Sequence, residues 1–333
     1  MELLLHIGTG KTGSTSIQSF LKKNRKRLLE GGTLFPRSLG DSNHYNLFLI
    51  AQNSAASDKP MRMRGIVGRE QQKIIKAKWR KEFKEEVADS KADRCIVSAE
   101  HLSQLKEDEV LGLRDFLCGV FNRVKILIYL RDPVDYAVSM YDTALKIGGL
   151  RQEPLPPEYG GPADYKQILR MWSGAFQKEN INVRIFDRRE LIDGSVVVDF
   201  SDATGISLDG LEHSDHFENR SLNVTGQKIL SKINKKLPRT LSNGLMNPER
   251  GEIHRVFEEY FHSGPKYAPL PSLVSAYREK FAHSHDWILE NFFPGRQELF
   301  PERERAKAQI ESLDDAALEQ ISDLILMLWK QRK

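Results

Sequence analysis

The chain has 333 residues, 40 % of them hydrophobic, enough apolar material for one large core or two ordinary ones. Its net charge is only +4, from 50 Lys and Arg against 46 Asp and Glu, so charge gives no case for nucleic acid as a partner. Two cysteines, Cys95 and Cys118, exclude a disulfide framework and a cysteine-based metal site, and no apolar run approaches the ~20 residues of a membrane span.

The first apolar run begins at Leu3, which leaves no room for a signal peptide before it. The expectation is a cytoplasmic protein with reduced thiols. Leu3 to Ile7 reads as a buried strand. Gly8-Thr9-Gly10-Lys11-Thr12-Gly13 follows as a turn. Ser14, Thr15 and Ser16 then open a helix with Ile17, Phe20 and Leu21 on one face, running to about Leu29 and stopping at Gly31-Gly32. A short segment at Thr33 to Pro36 and a polar loop to His44 lead to a helix from Tyr45. Residues 53–68 read as a loop, and 69–90 as a charged helix with a stripe of Ile74, Ile75, Trp79, Phe83 and Val87.

Arg94 to Ser98 reads as the second strand, ending in Ala99-Glu100-His101-Leu102. A helix over 107–121 precedes Val124 to Leu130, a continuous apolar run that fits a central parallel strand. It ends at Arg131-Asp132-Pro133. Asp132 suits an N-cap and Pro133 a first helical position, so a helix bearing Ser139 starts here. A Pro/Gly-rich loop, 148–162, precedes a helix with Tyr165, Ile168, Leu169, Trp172 and Phe176 on one side. Val183 to Phe186 is a further strand, and Ser195 to Phe200 fits either strand or helix. Helices follow over 222–236, 251–262, 270–292 and 313–332, the last with Ala317, Leu318, Ile321, Leu324, Ile325 and Leu328 as its buried face. Strand–helix alternation in the first 190 residues predicts a three-layer α/β fold with a central parallel sheet and extra C-terminal helices, in a single domain.

Two stretches carry the chemistry. A strand, a Gly-rich turn and a helix N-terminus point backbone N–H groups at one spot, where the helix dipole favours an anion. Lys11 adds a full charge there. The lysine stands two positions before Gly13 rather than directly after the last glycine, so the loop is not a Walker A motif. At the other stretch, Arg131 at a strand end offers a planar fork for phosphate, and Ser139 follows eight residues later.

The order Gly8-x-x-Lys11-Thr12-Gly13-Ser14-Thr15 resembles the 5′-phosphosulfate loop of sulfotransferases that use 3′-phosphoadenosine 5′-phosphosulfate (PAPS). Arg131 to Ser139 resembles their 3′-phosphate motif. The resemblance implies a P-loop-like sulfotransferase fold, PAPS as cosubstrate, and sulfuryl transfer to a hydroxyl or amine without a metal. Gly8, Thr9, Gly10, Lys11, Thr12, Gly13, Ser14 and Thr15 would hold the 5′ end of the donor, and Arg131 and Ser139 its 3′-phosphate. Lys11 would also stabilise charge on the leaving group.

Phe186-Asp187-Arg188-Arg189-Glu190-Leu191 and Asn219-Arg220-Ser221-Leu222 are similar to segments of bacterial members. The Arg-Lys-Gly segment of the animal cytosolic enzymes is not recognisable. An acceptor needs a general base, and Glu100, His101 and His44 are the candidates. The bacterial character makes a small molecule or glycan, first a carbohydrate or glycolipid, the expected acceptor partner. Two other readings stay open: an ATP-dependent kinase with a P-loop-type fold, and a non-catalytic nucleotide-binding protein.

Overall fold

The computed structural model describes residues 1–53, 59–162, 164–213, 221–302 and 315–331. Its sheet has five strands: β1 (Glu2–His6), β2 (Thr33–Leu34), β3 (Arg94–Ser98), β4 (Arg123–Leu130) and β5 (Ile181–Ile185). They run in the order β2-β3-β1-β4-β5, and every pairing is parallel. The α/β reading and its parallel sheet are thus what the chain adopts. His6, the last residue of β1, lies opposite Ser98 on one side and Leu127 on the other. The strand ends that carry the two motifs therefore leave the sheet side by side.

The helices are α1 (Ser14–Lys23), α2 (Arg25–Glu30), α3 (Tyr45–Ala51), α4 (Arg69–Asp89), α5 (Glu107–Cys118), α6 (Pro133–Lys146), α7 (Tyr165–Phe176), α8 (Val196–Thr204), α9 (Val224–Lys236), α10 (Ile253–Tyr260), α11 (Pro271–Phe292) and α12 (Asp315–Lys330). On one face of the sheet Leu4, Ile96, Leu127 and Tyr129 pack with Ile17, Phe20 and Leu21 of α1 and with Val196, Val197 and Phe200 of α8. Ile126, Ile128 and Leu130 alternate with these along β4 and are equally buried, as in a strand covered on both faces.

The described residues form two compact units. The first comprises Met1–Arg131, Ala163–His216 and Trp287–Arg296 and holds the whole sheet. The second comprises Asp132–Pro162, Phe217–Asp286 and Gln297–Lys333. Its core joins Tyr141 and Leu145 of α6 to Leu230, Ile233, Ile253, Phe257 and Leu318. Within it Lys146 is buried between Asp142, at 2.9 Å, and Glu258, at 2.8 Å. Both charges of the Asp142 pair are out of water, so removing either partner is costly.

Three local expectations need correction, and the alternative left open at Ser195 to Phe200 is decided. The helix from Ser14 breaks at Asn24, because the buried Asn24 amide donates to the carbonyls of Phe20 and Glu212 and draws the chain out of helical register. Residues 196–204 are helix, started by Ser195, whose hydroxyl accepts from the Val198 N–H. In α4, Ile74 is 63 % exposed, and the buried positions are Gln72, Lys76, Phe83 and Val87. The Lys76 ammonium donates to the Gln52 carbonyl at 2.6 Å, which turns that face inward. In α12, Leu318 is buried as expected, but Leu324 and Leu328 are exposed, and Ser322 and Leu326 are buried instead. The Ala317 side chain lies outside the described residues. Of the loop expected over 53–68, residues 54–58 also lie outside them, and residues 59–62 make one helical turn.

Candidate active site

The turn after β1 is built from left-handed backbone. Gly8, Lys11 and Gly13 all have positive φ, at 46°, 68° and 75°. Gly13 is the N-cap of α1, and no side chain caps that helix. A Cβ on Gly13 would stand 2.9 Å from Phe186 Cε2 and 3.0 Å from Val196, so the position requires glycine on both conformational and steric grounds. A Cβ on Gly8 would stand 3.0 Å from the Glu100 Cα and 3.1 Å from the Ser14 hydroxyl. Glu100 is thereby set against the turn, through backbone proximity that its place in the sequence does not reveal.

Lys11 is the unusual member. A lysine in the left-handed region costs about 1–2 kcal/mol where glycine costs nothing. Strain of this kind collects where the surrounding structure over-determines a residue, and sites of function are the common setting. The turn is held from within. Thr12 donates to the Thr9 carbonyl at 2.5 Å, and Thr9 donates to the Tyr129 carbonyl at 2.8 Å. Both threonine hydroxyls are buried and engaged, so an anion in the turn would meet backbone N–H groups rather than these side chains. Thr15 is exposed on the first turn of α1, and Gly10 is partly so.

Two features fit the turn to an anion. The N-cap of α1 makes no side-chain hydrogen bond to the first N–H groups of the helix, of which Ser16 N–H donates to the Gly13 carbonyl at 3.0 Å. The Ser14 hydroxyl is buried and makes no hydrogen bond among the described residues. A buried donor without a partner costs about 1–3 kcal/mol, which a bound anion at this helix start would recover.

Arg131, one residue past β4, reaches this turn. Its Nη1 donates to the Lys11 carbonyl at 2.6 Å. Its guanidinium lies over the Phe186 ring, 5.4 Å from the centroid. The Tyr165 hydroxyl donates to the Arg131 carbonyl at 3.0 Å, which fixes the backbone there. The structure therefore brings Lys11 and Arg131, 120 residues apart, into one hydrogen bond. Ser139 belongs to α6 in the second unit, where its carbonyl accepts from the Thr143 hydroxyl at 3.0 Å. As expected, Asp132 caps α6, accepting from the Val134 N–H at 2.7 Å ahead of Pro133.

The three candidate bases differ sharply. His44 is fully buried. Its Nε2 pairs with the Pro36 carbonyl at 2.9 Å, and its Nδ1 accepts from the Ser98 N–H at 3.1 Å. Burial lowers its pKa to about 3, so it is a neutral ring with both nitrogens taken. It ties the loop before α3 to the end of β3. His101 is half-buried, edge-on to Tyr45 at 4.6 Å and near Phe48 at 5.6 Å. Burial lowers its pKa while the Glu100 carboxylate raises it, and its Nδ1 has no hydrogen-bond partner. Glu100 opens the short 3-10 helix after β3, and its carbonyl accepts from the Ser103 hydroxyl.

His6 is a site neighbour that the sequence analysis does not name. It is fully buried at the end of β1, with Nδ1 paired to the Ser98 hydroxyl at 2.9 Å, and that hydroxyl also accepts from Gln18 Nε2 at 3.2 Å. Burial lowers its pKa to about 4. The signal was present as a single polar residue inside an apolar strand. Phe186 was also missed as a site residue, since its role depends on Gly13 and Arg131 meeting at one place. Among the described residues, no group of three or more His, Cys, Asp and Glu side chains is placed to hold a metal ion, and no helix is long and apolar enough to cross a membrane. Asn219 and Arg220 lie outside the described residues.

No family model matches the chain. A protein of Archaeoglobus fulgidus, known only as an uncharacterized protein, is 33 % identical over 143 residues, which is 43 % of this chain and 38 % of that one. The chain thus spans well under half the length of this relative. A crystal structure of a sulfotransferase from Alicyclobacillus acidocaldarius is similar at a TM-score of 0.36, with 18 % identity, over 65 % of this chain and 85 % of that one.

Proposed function

We propose that the chain is a sulfotransferase that moves a sulfuryl group from 3′-phosphoadenosine 5′-phosphosulfate to a hydroxyl or amine of an acceptor. The observation that supports this reading is the hydrogen bond from Arg131 Nη1 to the Lys11 carbonyl. It joins the two motifs whose pairing suggests a nucleotide with anions at both 5′ and 3′ positions. The uncapped start of α1 and the unpartnered Ser14 hydroxyl suit the 5′ end, held by backbone from Gly10 to Thr15. Arg131 suits the 3′-phosphate through its planar fork. The part of Ser139 rests on its spacing in the sequence alone.

The donor, when bound, supplies an activated sulfuryl group on a good leaving group. Lys11 would hold positive charge where the leaving oxygen becomes negative, an electrostatic contribution that needs no proton transfer. Glu100 or His101 would take the proton from the acceptor. For His101, burial disfavours the imidazolium and so favours the neutral ring, the form that accepts a proton. His44 has no nitrogen to spare for this task.

Thermal unfolding with adenosine 3′,5′-bisphosphate, set beside ATP with Mg²⁺, tests the reading. A ligand at a hundredfold excess over Kd stabilises the native state by about 2.7 kcal/mol. A larger shift with ATP and Mg²⁺ favours a kinase and overturns the proposal. Transfer of labelled sulfate from the donor to an acceptor extract then separates an enzyme from a nucleotide-binding protein.

A further inference from the structure

Within the second unit, α12 carries two apolar faces. Six apolar residues run without a break in its second half, Leu324-Ile325-Leu326-Met327-Leu328-Trp329. One face is used by the core of that unit, where Leu318, Ile321, Ile325, Leu326 and Trp329 pack with residues of α9 and α10. The helix is clamped that way round. Lys232 meets Asp315 at 3.1 Å and Glu319 at 3.0 Å, and Lys236 meets Glu319 and Asp323, each at 2.6 Å. From its other end, Trp329 Nε1 donates to the Glu249 carbonyl at 2.9 Å. The rotation of α12 about its axis is therefore fixed, and Leu324, Met327 and Leu328 are left outward, 52, 51 and 56 % exposed.

Spacings of three and four residues put these three side chains in one stripe, on the side of the helix away from the core. A helix that is apolar all round belongs in an interior, and this one has an interior on one side only. The turn that follows α9 adds to the exposed apolar surface of the unit with Leu241, Leu245 and Met246. The chain on either side of that turn is tied to α12, through Lys236 to Asp323 and through Glu249 to Trp329. Exposed apolar side chains gathered in this way mark a surface that meets a partner.

The charges beside the stripe identify that partner. Asp323 and Lys330 are both exposed and, two helical turns apart, stand on the same flank of the stripe. A surface of anionic lipid would call for cations along the rim, and Asp323 opposes it. A second copy of α12 lying antiparallel, with the two-fold axis beside Met327, answers both charges. The two flanks then face one another, and Asp323 of each copy falls opposite Lys330 of the other. Leu324 packs against Met327 and Leu328 of the second copy on both sides of the axis, so one apolar stripe serves as its own complement. We propose that α12 is a dimerisation helix, which pairs antiparallel with α12 of a second copy through Leu324, Met327 and Leu328. The seam is short beside the ~1,600 Å² of a standard interface, so the dimer is a reversible one. This inference stands apart from the reading of the chain as a transferase.

Sedimentation velocity on the full chain, from about 1 to 100 µM and without nucleotide, reads the association directly. A monomer–dimer equilibrium with a Kd on the order of 10 µM is expected. The double variant Leu324→Glu, Leu328→Glu should stay monomeric across this range. Both side chains are exposed, so its unfolding transition should match that of wild type. Met63→Glu, at an exposed apolar residue of the first unit, is the control expected to dimerise as wild type. Lys330→Asp should raise the Kd roughly tenfold, because it sets two carboxylates opposite one another. Adding Asp323→Lys to Lys330→Asp exchanges the charges and should return the Kd to within about threefold of wild type. A wild-type chain that is monomeric at every concentration, a dimer that the double leucine variant retains, or a charge exchange that fails to restore association overturns the proposal.

Discussion

Arg131 Nη1 holds the carbonyl of Lys11 at 2.6 Å, and that lysine has a φ of 68°. The two facts are connected. A left-handed residue turns its carbonyl away from the direction a regular turn would give it, and here the carbonyl meets a guanidinium. The arginine thus contributes to the shape of the turn as well as to its charge. It is itself kept in place by the Phe186 ring below and by Tyr165 on its backbone.

Arg131→Ala should therefore weaken affinity for adenosine 3′,5′-bisphosphate by more than one lost contact implies. Truncating one partner of a buried charge-assisted pair costs about 2–5 kcal/mol. Arg131→Lys should recover little of this, because an ammonium cannot fork between a carbonyl and a phosphate. Calorimetry on the two variants decides. Wild-type affinity in Arg131→Ala would place the 3′-phosphate elsewhere.

Gly13→Ala should destabilise the fold and abolish nucleotide binding together. The new methyl group enters at a φ of 75° and within 2.9 Å of Phe186. Backbone strain and crowding each cost on the order of 1–3 kcal/mol. Urea unfolding gives the first number and calorimetry the second. Full stability in this variant would mean that the Phe186 ring swings aside freely, and the cradle would then be softer than described.

Acid should unfold the first unit through His6 and His44. Burial holds their pKa values to about 4 and about 3, against an ordinary 6.5. Between these limits the unfolded chain binds more protons, so stability is complete above about pH 6.5 and falls as pH drops. Each ring contributes a slope of up to about 1.4 kcal/mol per pH unit in that window. Urea midpoints from pH 7.5 to 4.5 should show the fall, and His6→Gln should flatten it by one ring's share. An unchanged slope in His6→Gln would show that this ring finds a partner when charged.

Legibility in the sequence followed distance along the chain. The turn from Gly8 to Gly13 and the Asp132-Pro133 helix start were readable because their causes lie within a few residues. The break at Asn24 was not, since one carbonyl that draws it out belongs to Glu212, 188 residues on. Ile74 was misassigned because an amphipathic stripe can turn about its axis when a lysine such as Lys76 finds a buried carbonyl. His44 is a candidate base by its residue type and its place in the loop after the first helix, a region where the family resemblance implies site residues. Only the fold shows Ser98 and Pro36 occupying its two nitrogens.

The left-handed backbone at Lys11 separates stability from function in a single position. Lys11→Gly removes the side chain and also the steric cost of φ at 68°. It should raise unfolding stability by about 1 kcal/mol, from relief of that conformation. On the reading of a sulfotransferase it should also lower kcat ~10²–10³-fold, the usual cost of losing one preorganised charge at the reacting atoms. The donor KM should move much less, because negative charge on the leaving oxygen develops mainly in the transition state. Lys11→Ala should lose the same activity without the gain in stability, since alanine keeps a Cβ in the left-handed region. Unfolding curves and steady-state kinetics on the pair check both halves. If Lys11→Gly kept near-normal kcat while gaining stability, the lysine would be a strained turn residue with no part in the chemistry.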